Sequence, residues 1–135
     1  MALGLLVGLG LFTFYYARGH SYFADDPKAC VNCHIMRDQY DGWNRSSHKG
    51  VATCNTCHTP KNILGKYAVK GINGWNHSAA FTSGHFHEPL QINSFNRKIV
   101  LNNCMYCHKE IVSQMATNTS GEKMDCLSCH SDTGH

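Results

Sequence analysis

One five-residue pattern occurs four times in this chain: two cysteines three positions apart, followed at once by a histidine. The copies are Cys30-Val31-Asn32-Cys33-His34, Cys54-Asn55-Thr56-Cys57-His58, Cys104-Met105-Tyr106-Cys107-His108 and Cys126-Leu127-Ser128-Cys129-His130. They use all eight cysteines, so none is left for a disulfide or a reactive thiol. Cys-x-x-Cys pairs also serve zinc sites and thioredoxin-like redox pairs, and the interval from Cys33 to Cys54 is of zinc-ribbon size. Neither chemistry requires a histidine directly after the second cysteine, and here four of four copies have one. The pattern is that of covalent c-type haem attachment, in which each thiol forms a thioether with a haem vinyl group and the adjacent imidazole reaches the iron. The sequence therefore predicts four covalently bound haem c groups.

That prediction limits the fold. Residues 30–135 supply only about 26 residues per haem, too little for a side-chain core around four macrocycles. The haems themselves must form the core, packed edge to edge, with short helices and irregular segments wrapped round them. No long apolar/polar alternation occurs here, so little β-structure is expected. The expected fold class is mainly α with much irregular structure, a multihaem cytochrome c, plus one N-terminal transmembrane helix.

The helix comes from residues 1–17, MALGLLVGLGLFTFYYA, an uncharged run at the short end of what spans a bilayer. Phe12, Phe14, Tyr15 and Tyr16 cluster at one end like an interfacial belt. A cleaved signal peptide is the rival reading, but Tyr15 and Ala17 make a poor cleavage site and no basic segment precedes the run. Because c-type haem is attached on the outer side of the bacterial membrane, the expected location is the inner membrane, single-pass, with the haem domain on the periplasmic side. The organisation is then a transmembrane anchor (1–17), a polar connector (18–29) with a turn at Asp26-Pro27, and a periplasmic tetrahaem cytochrome c domain (30–135). The formal charge of +3 says little about partners, because haem propionates would neutralise many of the twelve lysines and arginines.

Within the haem domain, Met36 lies two residues past His34, and a thioether is a proper iron ligand; packing beside the ring is the plainer role. Six histidines lie outside the motifs: His20, His48, His77, His85, His87 and His135. They suffice for second axial ligands, but spacing alone does not assign them. A helix is predicted over 62–81, with Lys70, Asn73, Gly74 and His77 on one face. The stretch 118–122 reads as a surface loop.

Beyond the motifs, the apolar anchor, Cys33-His34-Ile35-Met36, the run from Asp25 to Met36, Ser46-Ser47-His48 and Gly74-Trp75-Asn76-His77-Ser78 resemble the membrane tetrahaem quinol dehydrogenases of the NapC/NirT family, and among them the small subunit of cytochrome c nitrite reductase. The resemblance covers essentially the whole chain. It implies that Met36 replaces His34 as axial ligand of haem 1. His58, His108 and His130 become the proximal ligands of haems 2 to 4. His48 corresponds to a distal ligand of haem 3 and His135 to one of haem 2, while a lysine of the large subunit can complete haem 4. Lys70 corresponds to a basic residue at a quinol site beside haem 1. The family often places an aspartate on the Lys70 helix, and here the candidate positions hold Asn73 and His77. Asparagine cannot take a proton; a neutral histidine can.

The implied function is oxidation of menaquinol in the membrane and transfer of its electrons to a periplasmic multihaem reductase, the large subunit of ammonia-forming nitrite reductase foremost. As a quinol dehydrogenase subunit the chain would serve anaerobic respiration and do nothing to the final acceptor by itself. Two other readings stand beside it: an electron-transfer module without its own quinol site, and a donor to a nitrate reductase or hydroxylamine-oxidoreductase-like partner, or one running in the quinone-reducing direction.

Overall fold

A computed structural model describes residues 1–115 and 125–135. The loop expected at 118–122 lies outside the described residues. The chain divides into two compact units, one made of Met1–Cys54 with Thr133–His135, the other of Asn55–Asp132. Every regular element among the described residues is helical.

The first unit begins with α1 (Ala2–Tyr16). Its sequence has no charged residue to make a polar stripe, and every residue is exposed, so the helix buries no face on the protein. Its 15 residues reach roughly 22 Å, against about 30 Å for a bilayer core. No described helix is long and apolar enough to cross a membrane. The chain leaves α1 through Arg18, whose φ of 52° is left-handed, and Ser21 Oγ donates to the Arg18 carbonyl at 2.7 Å to hold the turn. A 3₁₀ turn follows (Gly19–Phe23), and Gly19 lies so close under the Phe14 ring that a Cβ there would collide with it.

The turn expected at Asp26-Pro27 is present. Asp26 Oδ1 accepts from the Lys28 N–H at 2.9 Å, and Pro27 opens the 3₁₀ turn Pro27–Asn32, where no intrahelical donor is needed. After a further 3₁₀ turn (His34–Met36) comes α2 (Arg37–Arg45). The segment after α2 folds back on it: the Trp43 indole N–H donates to the Ala52 carbonyl at 2.9 Å.

The second unit holds most of the chain's regular structure. The helix predicted over 62–81 is α4 (Ile63–Ser83), preceded by the short α3 (Cys54–His58). Asn62 caps α4, its Oδ1 accepting from the Gly65 N–H at 2.6 Å. The helix runs two residues past the predicted end because Gly84, with φ 72°, is the first residue suited to the left-handed stop. Then come α5 (Ser94–Cys107), capped by Asn93, α6 (Lys109–Met115) and α7 (Cys126–Cys129).

Few side chains are buried. Among the described residues, the buried apolar ones are Ala29, Val69 and Val100, and the buried polar ones are Thr59, Asn96 and Asn103. The asparagines replace apolar packing with amide bridges. Asn96 and Asn73 exchange a reciprocal pair of hydrogen bonds, at 2.9 and 3.1 Å, that ties α5 to α4. Asn103 Nδ2 donates to the carbonyls of Cys57 and Thr59 at 2.7 and 2.9 Å, tying α5 to the exit of α3. Meanwhile Ile63, Leu64, Trp75, Phe81, Tyr106 and Ile111 stay exposed. A chain with so little core of its own fits an interior supplied by haem macrocycles.

Candidate haem-binding and electron-donor sites

The local fold explains why the repeated motif works. On a helical turn, residues at i, i+3 and i+4 project from one side. In α3 these are Cys54, Cys57 and His58, so both sulfurs and the imidazole face the same way. The third motif ends α5, with His108 as its C-cap, and the fourth is α7, with His130 in the same role. Arg97 reaches Asp125 at 2.5 Å and so anchors the start of α7 to α5. Burial pushes the Cys104 thiol above the ordinary value, and the charges of Cys126 and Cys57 add to the effect. Burial likewise raises Cys57, with Cys107 contributing. Cys57 of the second motif, Cys104 and Cys107 of the third and Cys126 of the fourth therefore lie within electrostatic reach of one another in the second unit. All eight cysteines are at least partly exposed. Among the described residues, no three His, Cys, Asp or Glu side chains converge as a metal-ion site would require.

The first motif is built differently. Cys30 lies in one 3₁₀ turn and Cys33 joins it to the next. The Tyr22 hydroxyl sits 3.5 Å from Cys33 Sγ, and partial burial together with that contact pushes it well above the ordinary tyrosine value. In a 3₁₀ turn successive residues rotate by about 120°, so His34 and Met36, two apart, point different ways. Beside this motif is a cavity of about 580 Å³ whose lining includes Tyr15, Tyr16, Arg18, His20, Lys28 and Asn32. The donor set fits haem: paired thiols for the vinyl groups, imidazole and thioether for iron, and cations for propionates.

Two of the remaining candidate ligands meet in the first unit. His48 is half-buried, and its Nδ1 lies 3.3 Å from the Thr133 carbonyl oxygen, with Ser47 Oγ at 3.5 Å. His135 lies with its backbone against Gly42 in α2. The quinol-site candidates share one continuous helix, α4. Lys70 is half-buried with Nζ 5.7 Å from the Tyr67 ring centroid. His77, two turns on and about 10 Å along the axis, is exposed at its surface, yet the crowding of its ring by protein lowers its pKa below the ordinary 6.5. Asn73, between them, is engaged with Asn96 and so positions the helix.

Sequence reasoning missed Asn96, Asn103, Gly42 and the Thr133 carbonyl. For the two asparagines a signal was present. Asparagine is a poor residue inside a helix, and α5 carries three, Asn96, Asn102 and Asn103, the first and last of them buried.

Comparison with known proteins follows the same lines. The N-terminal region of the NapC/NirT cytochrome c family matches residues 1–135. The "Cytochrome c-type protein NrfH" of Wolinella succinogenes is 36% identical over 143 residues, covering 96% of this chain and 80% of that protein. The "Cytochrome c nitrite reductase subunit NrfH" of Nitratidesulfovibrio vulgaris is 29% identical, covering 84% and 69%. Among solved structures, a chain from the cytochrome c nitrite reductase NrfHA complex bound to the HQNO inhibitor superimposes with a TM-score of 0.71 at 26% identity, over 98% of this chain and 88% of that one. With its four attachment motifs inside a match that runs from the first residue to the last, the chain belongs to the NapC/NirT cytochrome c family.

Proposed function

We propose that this protein is the membrane-anchored, menaquinol-oxidising subunit of a respiratory complex, delivering electrons to a periplasmic multihaem reductase, the catalytic subunit of cytochrome c nitrite reductase. The observation that carries this reading is the near full-length similarity to proteins named as NrfH and to a chain of the NrfHA complex.

Residues 1–17 are the anchor. A helix that is apolar all round and exposed all round has no use for a polar solvent, and Tyr15 and Tyr16 at its end suit a headgroup boundary. Residues 18–29 connect it to the tetrahaem domain, 30–135, on the periplasmic side. The four cysteine pairs hold four haems. His58, His108 and His130 ligate the irons at their own motifs, Met36 replaces His34 at the first, and His48 and His135 supply distal ligands. The divergence of His34 and Met36 supports a choice between them. Each bound haem supplies a one-electron centre, which matches a two-electron donor to single-electron transfer.

The chemistry of quinol falls to α4. The Lys70 ammonium donates to a quinol oxygen and stabilises negative charge as the proton leaves. The lowered pKa of His77 keeps its ring neutral at pH 7, so a ring nitrogen can accept that proton. Asn73 holds the helix in place through Asn96. The test is Lys70→Ala in intact membranes. Four haems should remain, quinol-driven reduction should fall sharply and reduction by a small artificial donor should be unchanged. A wild-type rate with quinol would place the site elsewhere.

A further inference from the structure

We propose that residues 133–135 form a clasp, seated on Gly42, that positions the His48 imidazole for its iron. This rests on the reading of His48 as a distal haem ligand. The Thr133 carbonyl can only accept a hydrogen bond, so at 3.3 Å it assigns the proton to His48 Nδ1 and the lone pair to Nε2, the tautomer an iron ligand through Nε2 requires. Ligating histidines are commonly oriented this way, by a carbonyl or carboxylate on the other ring nitrogen. The backbone of His48 is held as firmly as its ring. Its N–H donates to Ser46 Oγ at 3.2 Å, and its carbonyl accepts from Val51 and Ala52 at 3.1 and 2.9 Å. Trp43 in α2 then pins Ala52. A histidine with only a surface role needs no such frame.

The tail reaches His48 because position 42 has no side chain. A Cβ there would lie 2.8 Å from His135 Cα and 3.0 Å from its carbonyl carbon, closer than backbone tolerates. Gly42 sits inside α2, where glycine is a poor helix former, so the helix itself gives no reason for it. The close approach does. The clasp also links two ligand candidates mechanically, since the segment that orients His48 contains His135.

The sign of one substitution decides the matter. If the tail does not rest on Gly42, Gly42→Ala improves α2 and raises the melting temperature of the haem-loaded protein. If it does, the methyl lifts the tail. Gly42→Ala then lowers the melting temperature and keeps four covalent haems by mass. The low-spin ferric signal that His48→Ala abolishes becomes displaceable by added imidazole at roughly 10- to 100-fold lower concentration. Gly42→Val should do the same more strongly, and if it fails to load haem the alanine variant still reads the clasp. A higher melting temperature with an unchanged imidazole titration overturns the proposal. So does a lower one with an unchanged titration, because the tail would then be seated without orienting the ring. If His48→Ala leaves every ferric signal intact, the ligand reading itself has failed.

Discussion

The two longest apolar-rich helices of this protein solve opposite problems. The first, α1, has no capping side chain, no charge and no buried residue. The second, α4, is capped by Asn62 and closed by Gly84, carries Lys66, Lys70 and His77, and is bonded to α5 through Asn73. A helix with no capping side chain and no buried face suits an apolar solvent, whereas one in water needs caps and side-chain partners to begin and end where it does. The difference is the one expected if α1 serves attachment and α4 chemistry, as proposed above.

Deleting residues 1–17 breaks the comparison most completely. If α1 is only an anchor, the shortened protein, exported by a cleavable leader, should leave the membrane fraction entirely while keeping four haems by mass. Loss of haem would mean that α1 also supports the haem domain. Next in size is Lys70→Ala, expected to lower quinol-driven haem reduction by roughly 10²-fold, the range for removing one donor aimed at developing negative charge. Stopped-flow reduction in membranes measures it.

A smaller effect concerns what replaces a core in the second unit. Asn103→Ala should cost about 2 kcal/mol in urea unfolding of the haem-loaded protein, because two carbonyls, of Cys57 and Thr59, lose a buried partner. Gly84→Ala should cost about 1 kcal/mol, since alanine resists a φ of 72°. An equal loss from an alanine substitution at Gly74, in mid-helix, would show that the left-handed stop is not the cause.

The mildest test is pH. His77 accepts a proton only when neutral, and its pKa lies below 6.5, so quinol oxidation should hold steady near neutrality and decline as pH falls through that lower value. In His77→Asp the decline should move down into the carboxylate range. An acid limb that stays in place in His77→Asp would assign the proton to another group.

Much of the haem-binding apparatus was legible residue by residue. Cys-x-x-Cys-His names its own chemistry, and its spacing already puts three groups on one side of a helical turn. The limits of α4 were nearly legible as well, because Asn62 and Gly84 are local start and stop signals. The amide bridges were not. Asn73 and Asn96 are 23 residues apart, so an asparagine inside a helix signals that a partner is needed without telling which residue supplies it. Asn73 read as one of two residues where the family often has an aspartate, although an amide cannot take a proton, and the structure gives that amide a structural partner.

What this sequence determined alone is therefore whatever lies within a helical turn: the attachment motifs, the uncharged helix, the caps, the Asp26-Pro27 turn. Only the tertiary structure could decide that Gly42 receives the C-terminal segment, that Thr133 sets the tautomer of His48 from 85 residues away, and that buried asparagines bind the second unit where apolar side chains ordinarily would. The reason is range. Backbone propensity and helical spacing act over about four residues and are written into neighbouring letters. A hydrogen bond between distant segments depends on where the chain has returned, and that is settled by packing.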